Sequence, residues 1–290
     1  MHSHPQTNIA GEELSKHRFE LLQDIAEELS SDTTFPTSFD LLVRLRKALH
    51  DPDLSLDQIS KLISIEPLIP LRLIHLANSV MYNRGQEVKD ARTAVQMLGL
   101  NNVRSVAMAI TMNQLMQSKD LLIFGDLPQK LWDHCLRSAC AAFAISKHIA
   151  NINPDEAMLA GLVHDLGAFY LLYRFSQEEE LRTRPDSTKY LVARWHESIG
   201  YTLLIALGVP QEIADAMVDH DVMRSLPSIP LNLSDVVYVS NMLAGGLSDW
   251  LDFDEDMVGR QEMYDLAREA YKEYIDEIDA YTDQMRSLLA

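Results

Sequence analysis

Apolar residues recur at helical spacing along most of the chain. In residues 12–29, for example, they fall three or four positions apart and would line one face of a helix. Helices are predicted at 12–29, 39–49, 56–65, 67–81, 91–98, 101–117, 128–150, 153–175, 189–207, 210–220, 234–243 and 260–289. No stretch alternates apolar and polar residues between hairpin signals, as strands would. The pattern therefore predicts an all-α fold, without a motif repeated at a fixed period.

Local signals mark the ends and the surroundings of several predicted helices. Ser55 and Gln58 form a capping box, in which each side chain bonds the backbone N–H of the other residue. Gly99 is expected to end one helix before the next begins. Segment 67–81 is apolar on several faces, so a central buried helix is expected there. Segment 260–289 is expected to form one amphipathic helix.

The stretch Asn153–Phe175 combines helix signals with chemically active side chains. Asn153 suits an N-cap, and Gly167 is expected to break the helix before a second apolar segment. Between them, His164 and Asp165 interrupt an otherwise apolar run, where a charge must be paired, hydrogen-bonded or metal-bound. An isolated His-Asp pair is more often structural, but three further histidines on predicted helices favour a functional role. They are His134, His196 and His220.

Composition and charge narrow the classes of function. The net charge of −18 argues against general nucleic-acid binding, which needs a basic surface. No apolar run reaches the length of a membrane span, and the first residues lack the features of a signal peptide. The two cysteines, Cys135 and Cys140, suit a reducing cytoplasm and form no metal pattern by themselves. We therefore expect a cytoplasmic protein that binds neither nucleic acid nor membrane.

The negative charge is concentrated at the C-terminal end. Residues 249–290 carry thirteen acidic and four basic side chains, which is half of the net charge of the chain. Two interpretations remain open. A solvated helix face that aids solubility is the commoner one, and a docking surface for a basic partner is the alternative.

Two groups of ordered motifs resemble a known family. In the first half they are Phe35-Pro36, Ile65-Glu66-Pro67, Leu76-Ala77-Asn78-Ser79 and Ala94–Leu100. In the second half they are Leu131–His134, Gly161–Gly167, His196–Gly200 and Leu207–Pro210. Together they resemble the HDOD domain, a relative of the HD-type metal-dependent phosphohydrolases of bacterial signalling proteins. The resemblance implies an all-α fold of two helical lobes, the second an HD-like helical bundle.

The pattern along the chain and the resemblance together predict a division of the chain. Residues 1–34 would form an N-terminal helix and linker, and residues 35–120 the first helical lobe. Residues 121–247 would form the HD-like lobe, and residues 248–290 an acidic C-terminal helix. Segment 121–127 would be the linker between the two lobes.

A metal site is implied by the same resemblance. In HD enzymes a histidine, a His-Asp pair from the next helix and a later aspartate hold a metal. The matching positions are His134, His164, Asp165 and Asn241, with His196, His220 and Asp221 as candidates for a second metal. Asn241 stands where the enzymes usually have aspartate, and Asp221 where two-metal members have a second histidine. A neutral amide oxygen is a weaker ligand than a carboxylate, which puts hydrolysis in doubt.

Two functions follow from this degraded set of ligands. The first is a non-catalytic signalling domain that acts in trans through a protein partner or a nucleotide messenger. The second is a phosphohydrolase of a nucleotide or cyclic dinucleotide, in which Asp165 would be catalytic and the cofactor would be Fe, Mn, Mg, Zn or Ni. A nucleic-acid regulator is disfavoured by the charge, and no Walker loop or nucleophile elbow occurs. Arg104, Arg137 and Arg194 could hold phosphate, although surface arginines more often form salt bridges.

Overall fold

The computed structural model of the protein describes residues 19–25, 27–29, 55–64, 66–83, 85–149, 152–251 and 257–289. The predicted helix at 39–49 and the Phe35-Pro36 motif lie outside these residues. Within the predicted helix 12–29, the described residues 19–25 and 27–29 are helical. The described part of the chain contains helices and turns and no strand, which confirms the all-α prediction.

The helices follow one another with short connections. After the helical residues 19–25 and 27–29 come α1 (Leu56–Ile63), α2 (Leu68–Ala77), α3 (Ala91–Met116), α4 (Leu127–Lys147), α5 (Pro154–Val163) and α6 (Leu166–Phe175). The others are α7 (Glu179–Arg182), α8 (Pro185–Ala206), α9 (Gln211–Ala216), α10 (Leu233–Ala244), α11 (Gly246–Trp250), α12 (Met257–Ala270) and α13 (Ile275–Leu289). Two 3₁₀ turns, Leu122–Phe124 and Lys272–Tyr274, precede α4 and α13.

Several helix ends form as the sequence predicts. The capping box of Ser55 and Gln58 starts α1, and Asn153 caps α5 by accepting a hydrogen bond from the N–H of Asp155. At Gly99 the backbone has φ +77°, a value that side chains disfavour, and α3 kinks there. The predicted interruption is therefore present as a kink between two helical halves.

Three predictions about helices were wrong. Leu71 on α2 is exposed, so this helix buries one face and is not surrounded by the core. The predicted helix 260–289 is interrupted at Tyr271, between the end of α12 and a 3₁₀ turn at Lys272–Tyr274, and the buried Tyr271 donates a hydrogen bond to the carbonyl oxygen of Pro227. Gly167 does not break the helix. The break falls at His164-Asp165, and Gly167 lies inside α6 where another helix approaches closely.

Helix α4 forms the centre of the fold. Most of its residues are buried on every side, because it packs against α5, α10 and α13 and contacts α11 and α3. Helix α6 crosses α8 at two glycines, Gly167 and Gly200. Both arrangements bring polar side chains of different helices into the same interior region.

Polar contacts join the N-terminal helices to α5. The hydroxyl of Tyr82 lies 2.5 Å from Oδ1 of Asp155 and 2.9 Å from Oδ1 of Asn102. Asn101 donates a second, longer bond of 3.4 Å to Glu156. Burial and the adjacent Asp155 raise the pKa of Tyr82, so its hydroxyl keeps its proton. These contacts fix α3 against the start of α5.

No helix in the described part of the chain is both long and apolar enough to cross a membrane.

Candidate metal centre

Six ionisable side chains from four parts of the chain meet inside the helical core. His134 comes from the second turn of α4, and His164 and Asp165 from the junction between α5 and α6. His196 lies in the middle of α8. His220 and Asp221 follow α9. The four histidines and Asp165 are at most 2% exposed. So many titratable groups remain buried only if they are paired or hold a cation.

Two glycines allow the backbones to approach closely enough for this convergence. A Cβ atom on Gly161 would lie 2.8 Å from the carbonyl oxygen of Ser138, one turn after His134 on α4. A Cβ atom on Gly167 would overlap the carbonyl oxygen of His196. Gly161 and Gly167 flank the His164-Asp165 junction. Their lack of side chains therefore sets the distance of the junction from α4 and α8.

Backbone carbonyls fix the orientation of three histidine rings. The Nδ1 atom of His164 lies 2.8 Å from the oxygen of Gly161, and that of His220 lies 2.6 Å from the oxygen of Met217. The Nδ1 atom of His196 contacts the oxygen of Val192 at 3.0 Å. A carbonyl oxygen only accepts hydrogen bonds, so Nδ1 carries the proton in each ring. Each ring consequently presents Nε2 to the cluster, and in its neutral form it directs the Nε2 lone pair there, as metal-ligating histidines do.

One side of the cluster is formed by His134, His164 and Asp165. The Nε2 atoms of the two histidines are 3.1 Å apart. Oδ2 of Asp165 lies 3.5 Å from Nε2 of His134 and 3.3 Å from Nε2 of His164. These three ligand atoms lie close enough together to bind a single ion.

The opposite side of the cluster is formed by His196 and His220 around the other carboxylate oxygen of Asp165. Oδ1 of Asp165 lies 3.3 Å from Nε2 of His196 and 3.2 Å from Nε2 of His220. These two nitrogens are 3.3 Å apart. Oδ2 of Asp221 lies 3.2 Å from Nε2 of His196. Asp165 thus belongs to both triads of side chains that could hold a metal ion, and each of its oxygens faces one of them.

Burial and the neighbouring charges set the pKa values of the cluster. Burial lowers the pKa of His164 to about 3, despite the adjacent Asp165, so that ring is neutral. Burial also opposes charge on His220, but Asp221 and Asp165 outweigh it and raise its pKa to about 10. Burial likewise opposes ionisation of Asp165, yet the surrounding histidines hold its pKa well below its usual range. A bound metal would therefore replace protons that the carboxylates now stabilise on the histidines.

The side chains present suit a divalent metal. Imidazole nitrogens and carboxylate oxygens are the ligands that zinc, iron and manganese use in proteins. The Oδ1 atom of Asn241 adds a buried amide oxygen that accepts no hydrogen bond within the described part of the chain. Its Nδ2 donates to Oδ1 of Asp221 at 2.9 Å and to the carbonyl oxygen of His220 at 3.0 Å. Asn241 therefore contacts His220 and Asp221 directly, through its amide nitrogen.

The structure brings every predicted metal-ligand candidate to this region. His134, His164 and Asp165 form one triad, and Asp165 forms the other with His196 and His220. Asp221 and Asn241 adjoin the second triad through contacts with His196 and His220. Arg137 forms a salt bridge of 2.6 Å with Asp279 and does not belong to the cluster.

Sequence reasoning missed one residue at the centre. The ring of Trp250 lies 6.5 Å from the ring of His134 and 6.2 Å from that of His196, measured between centroids. Trp250 is 1% exposed and closes one side of the cluster. Its position at the end of a five-residue helix, beyond the matched motifs, gave no periodic signal that could have identified it.

Residues 35–223 match the sequence profile of the HDOD domain. This match covers more than half of the chain. The chain belongs to the HDOD domain family. The ordered motifs of the sequence had indicated this family, and the match includes the two triads but ends before α10 and Asn241.

Solved structures share the fold. A Shewanella amazonensis SB2B protein, named as a proposed metal-dependent phosphohydrolase, is 21% identical with a TM-score of 0.69, and the match covers 93% of this chain and 99% of that one. An HDOD domain protein of unknown function from Geobacter sulfurreducens is also 21% identical, with a TM-score of 0.51 over 95% of this chain and 96% of that one. At these identities the likeness concerns the fold alone.

One curated relative is much longer than the region that it shares with this chain. An uncharacterised protein of Treponema pallidum (strain Nichols) is 22% identical over 244 residues, which is 79% of this chain. The aligned region is 45% of that relative. The chain thus spans about half of the length of this curated protein.

Proposed function

We propose that this HDOD protein is a signalling module that binds divalent metal ions in its His–Asp cluster and, through them, a phosphate group of a small-molecule ligand such as a nucleotide. The observation that supports this proposal most is the position of Asp165. One of its oxygens faces His134 and His164, and the other faces His196 and His220.

The protein residues would perform distinct tasks in such a site. Carbonyl oxygens hold the Nδ1–H groups of three histidines, so the rings need no reorientation to bind a cation, although His220 must first lose its Nε2 proton. Asp165 supplies negative charge to both triads. Burial keeps competing water away, which strengthens each electrostatic interaction. A divalent ion held there would supply Lewis acidity towards a phosphoryl oxygen.

The module would act without turnover and in trans, through a protein partner or the bound ligand. Asn241 supports a binding role, because an amide replaces the carboxylate that HD enzymes usually have and brings no charge to the site. Phosphate-ester hydrolysis is the second candidate. It is favoured by the presence of two triads around one aspartate, the arrangement expected for two ions on either side of a reacting phosphate.

Metal analysis and a turnover assay test both candidates. Protein purified without a histidine tag should contain divalent metal, and His164→Ala should contain much less. His75→Ala, which removes an exposed histidine on α2, should keep the wild-type content. Equal metal content in all three proteins would refute the site. Hydrolysis of bis-p-nitrophenyl phosphate that disappears in Asp165→Ala would establish the enzymatic candidate, and metal binding without turnover would establish the binding module.

A further inference from the structure

The candidate metal ligands are shielded from solvent. The four histidines and Asp165 are at most 2% exposed, and they lie among the packed helices α4, α6 and α8. An ion or a ligand therefore needs a route through the fold before it can reach them.

A surface cavity extends towards the metal centre. It measures about 260 Å³ and lies between the 3₁₀ turn Leu122–Phe124, the start of α4 and the start of α8. Exposed side chains line its rim, among them Ile123, Lys130 and Arg182. A divalent ion with six water molecules occupies about 180 Å³, at the ~30 Å³ that each molecule fills in liquid water. The cavity is therefore large enough to admit a hydrated ion.

Two helices connect this cavity to the metal centre. Lys130 lines the cavity and precedes His134 by four residues on α4. Lys189 also lines it and precedes His196 by seven residues on α8. Residues with these separations share a helix face. The cavity thus lies on the same faces of α4 and α8 as two candidate ligands, and roughly 6 Å along the α4 axis separates Lys130 from His134.

Trp250 lies between the cavity and the candidate ligands. Its side chain lines the cavity, whereas no candidate metal ligand in the described part of the chain does so. The same indole ring is 6.5 Å from the ring of His134 and 6.2 Å from that of His196, measured between centroids. One aromatic side chain therefore closes the inner end of the cavity.

The arrangement of the histidine rings shows which side of the cluster Trp250 covers. The rings of His134 and His164 are 5.1 Å apart, those of His164 and His220 are 4.9 Å apart, and those of His220 and His196 are 5.3 Å apart. Trp250 contacts the two ends of this series, His134 and His196. It thus occupies the side of the cluster that the four histidines leave open.

The segment that carries Trp250 has the features of a movable element. Helix α11 has five residues and follows Gly245 and Gly246, whose φ values of 100° and 57° favour glycine. Hinges are short segments of this kind, which absorb changes in φ and ψ. The Nε1–H group of Trp250 has no acceptor within the described part of the chain, although a buried indole N–H usually has one. The closed position is therefore less stable than that of a fully hydrogen-bonded core tryptophan.

We propose that the cavity is the entrance to the metal centre and that Trp250 is its gate, which moves aside when an ion or a phosphate-bearing ligand passes. The inference rests on the metal site proposed above and adds the route by which that site exchanges its contents. Trp250 provides no metal ligand, so it controls the rates of uptake and release and leaves the affinity for the metal nearly unchanged.

Blocking the entrance tests the route. Lys130→Cys places a thiol on the rim, and Gln129→Cys is the matched control, because this adjacent exposed residue of α4 does not line the cavity. The native Cys135 and Cys140 are buried and should not react. Each untagged full-length variant is loaded with Zn²⁺, labelled with fluorescein maleimide and mixed with excess chromophoric chelator. The label should slow Zn²⁺ release about tenfold or more in Lys130→Cys and leave it unchanged in Gln129→Cys.

Removing the gate tests the role of Trp250. Trp250→Ala should accelerate Zn²⁺ uptake and release alike, by about tenfold, so that Kd stays within about twofold of the wild-type value. Trp250→Phe, which keeps an aromatic ring in the core, should accelerate both by a smaller factor. A merely structural role would raise the release rate alone and weaken the affinity, because loosened ligands hold the ion less well.

The outcomes separate this inference from the proposed function. Equal release rates of the two labelled cysteine variants would overturn the entrance. Faster release without faster uptake in both Trp250 variants would overturn the gate. Wild-type protein that binds no Zn²⁺ would overturn the metal site and this inference with it. Normal affinity for Zn²⁺, with rates that neither the label nor the substitutions change, would overturn this inference alone.

Discussion

Asn241 donates a hydrogen bond of 2.9 Å from Nδ2 to Oδ1 of Asp221. The second oxygen of that carboxylate lies 3.2 Å from Nε2 of His196. The amide therefore holds Asp221 against a histidine of the second triad, and it uses its other Nδ2 hydrogen on the carbonyl oxygen of His220. An aspartate at this position could donate neither bond.

Asn241→Asp should consequently have opposite effects with and without metal. In metal-free protein, a new buried carboxylate would face Asp221, and we expect a loss of about 3 kcal/mol in the free energy of unfolding. Excess Mn²⁺ should recover much of this loss, because the added charge strengthens metal binding. Urea denaturation with and without Mn²⁺ measures both effects. Asn232→Asp adds the same charge at the N-cap of the same helix, where aspartate is favourable, and should be nearly neutral.

Asp165 should be the most sensitive single position for metal content. Asp165→Asn keeps the size of the side chain but removes the charge shared by both triads, so we expect metal content to fall below about a tenth of that of the wild type. His134→Ala and His220→Ala each remove a ligand of one triad and should retain part of the metal. Elemental analysis of the three variants, purified in parallel, measures the metal content. If Asp165→Asn lost no more metal than either histidine variant, Asp165 would not serve both triads.

Gly167 should tolerate no side chain. A methyl group there would overlap the carbonyl oxygen of His196 and the N–H of Gly200, both of which are backbone atoms that cannot rotate away. We expect Gly167→Ala to lower the free energy of unfolding by more than about 3 kcal/mol, although alanine is the better helix former by about 1 kcal/mol. Loss of bound metal should accompany it, because the crossing of α6 and α8 positions Asp165.

Gly200→Ala is the control for that prediction. The new methyl group would approach the flexible end of Met217 at 3.1 Å and the backbone of Gly167 at 3.2 Å, so smaller movements would accommodate it. In urea, the free energy of unfolding of Gly200→Ala should be considerably higher than that of Gly167→Ala. Equal stability of the two variants would show that the close crossing does not control the position of the cluster.

The sequence predicted the helical class and the identity of the cluster residues better than their arrangement. Helical periodicity and the capping box at Ser55 depend on neighbours in the chain, so they can be read locally. The close approach at Gly167 depends on α8, almost thirty residues later, and the sequence suggested a helix break instead. The donation from Asn241 to Asp221 and the position of Trp250 likewise arise from tertiary contacts. The division into lobes and the partner remain predictions.

The acidic C-terminal segment buries an apolar face and exposes much of its charge. The pattern suggested a solvated face on one long helix. In the structure, Tyr264, Tyr271 and Tyr281 are buried, and α13 packs on α4. Part of the negative charge is neutralised there, because Arg137 pairs with Asp279 across the two helices at 2.6 Å. The remaining exposed acids are compatible with either of the interpretations made from the sequence.

Glu277 provides a pH test of this packing. Burial opposes its ionisation, but hydrogen bonds from Lys147, Tyr281 and His148 outweigh burial and lower its pKa to about 2. Lys147 and His148 lie at the end of α4, at 2.8 and 3.0 Å from the carboxylate. A carboxyl whose pKa is lower in the folded state stabilises the fold above its unfolded pKa, about 4.3, and loses this effect as the pH falls.

Glu277→Gln should therefore be less stable than the wild type at pH 7 by about 0.5–1 kcal/mol, the usual range for a partly exposed ion pair. The difference should shrink as the pH falls from about 4.3 towards 2, because the wild-type carboxyl becomes protonated and neutral like the amide. Urea unfolding of both proteins between pH 7 and pH 3 measures this trend. Glu262→Gln, an exposed position on α12, should match the wild type throughout. A Glu277→Gln deficit that stayed constant over this range would show that the carboxylate charge does not hold α13 against α4.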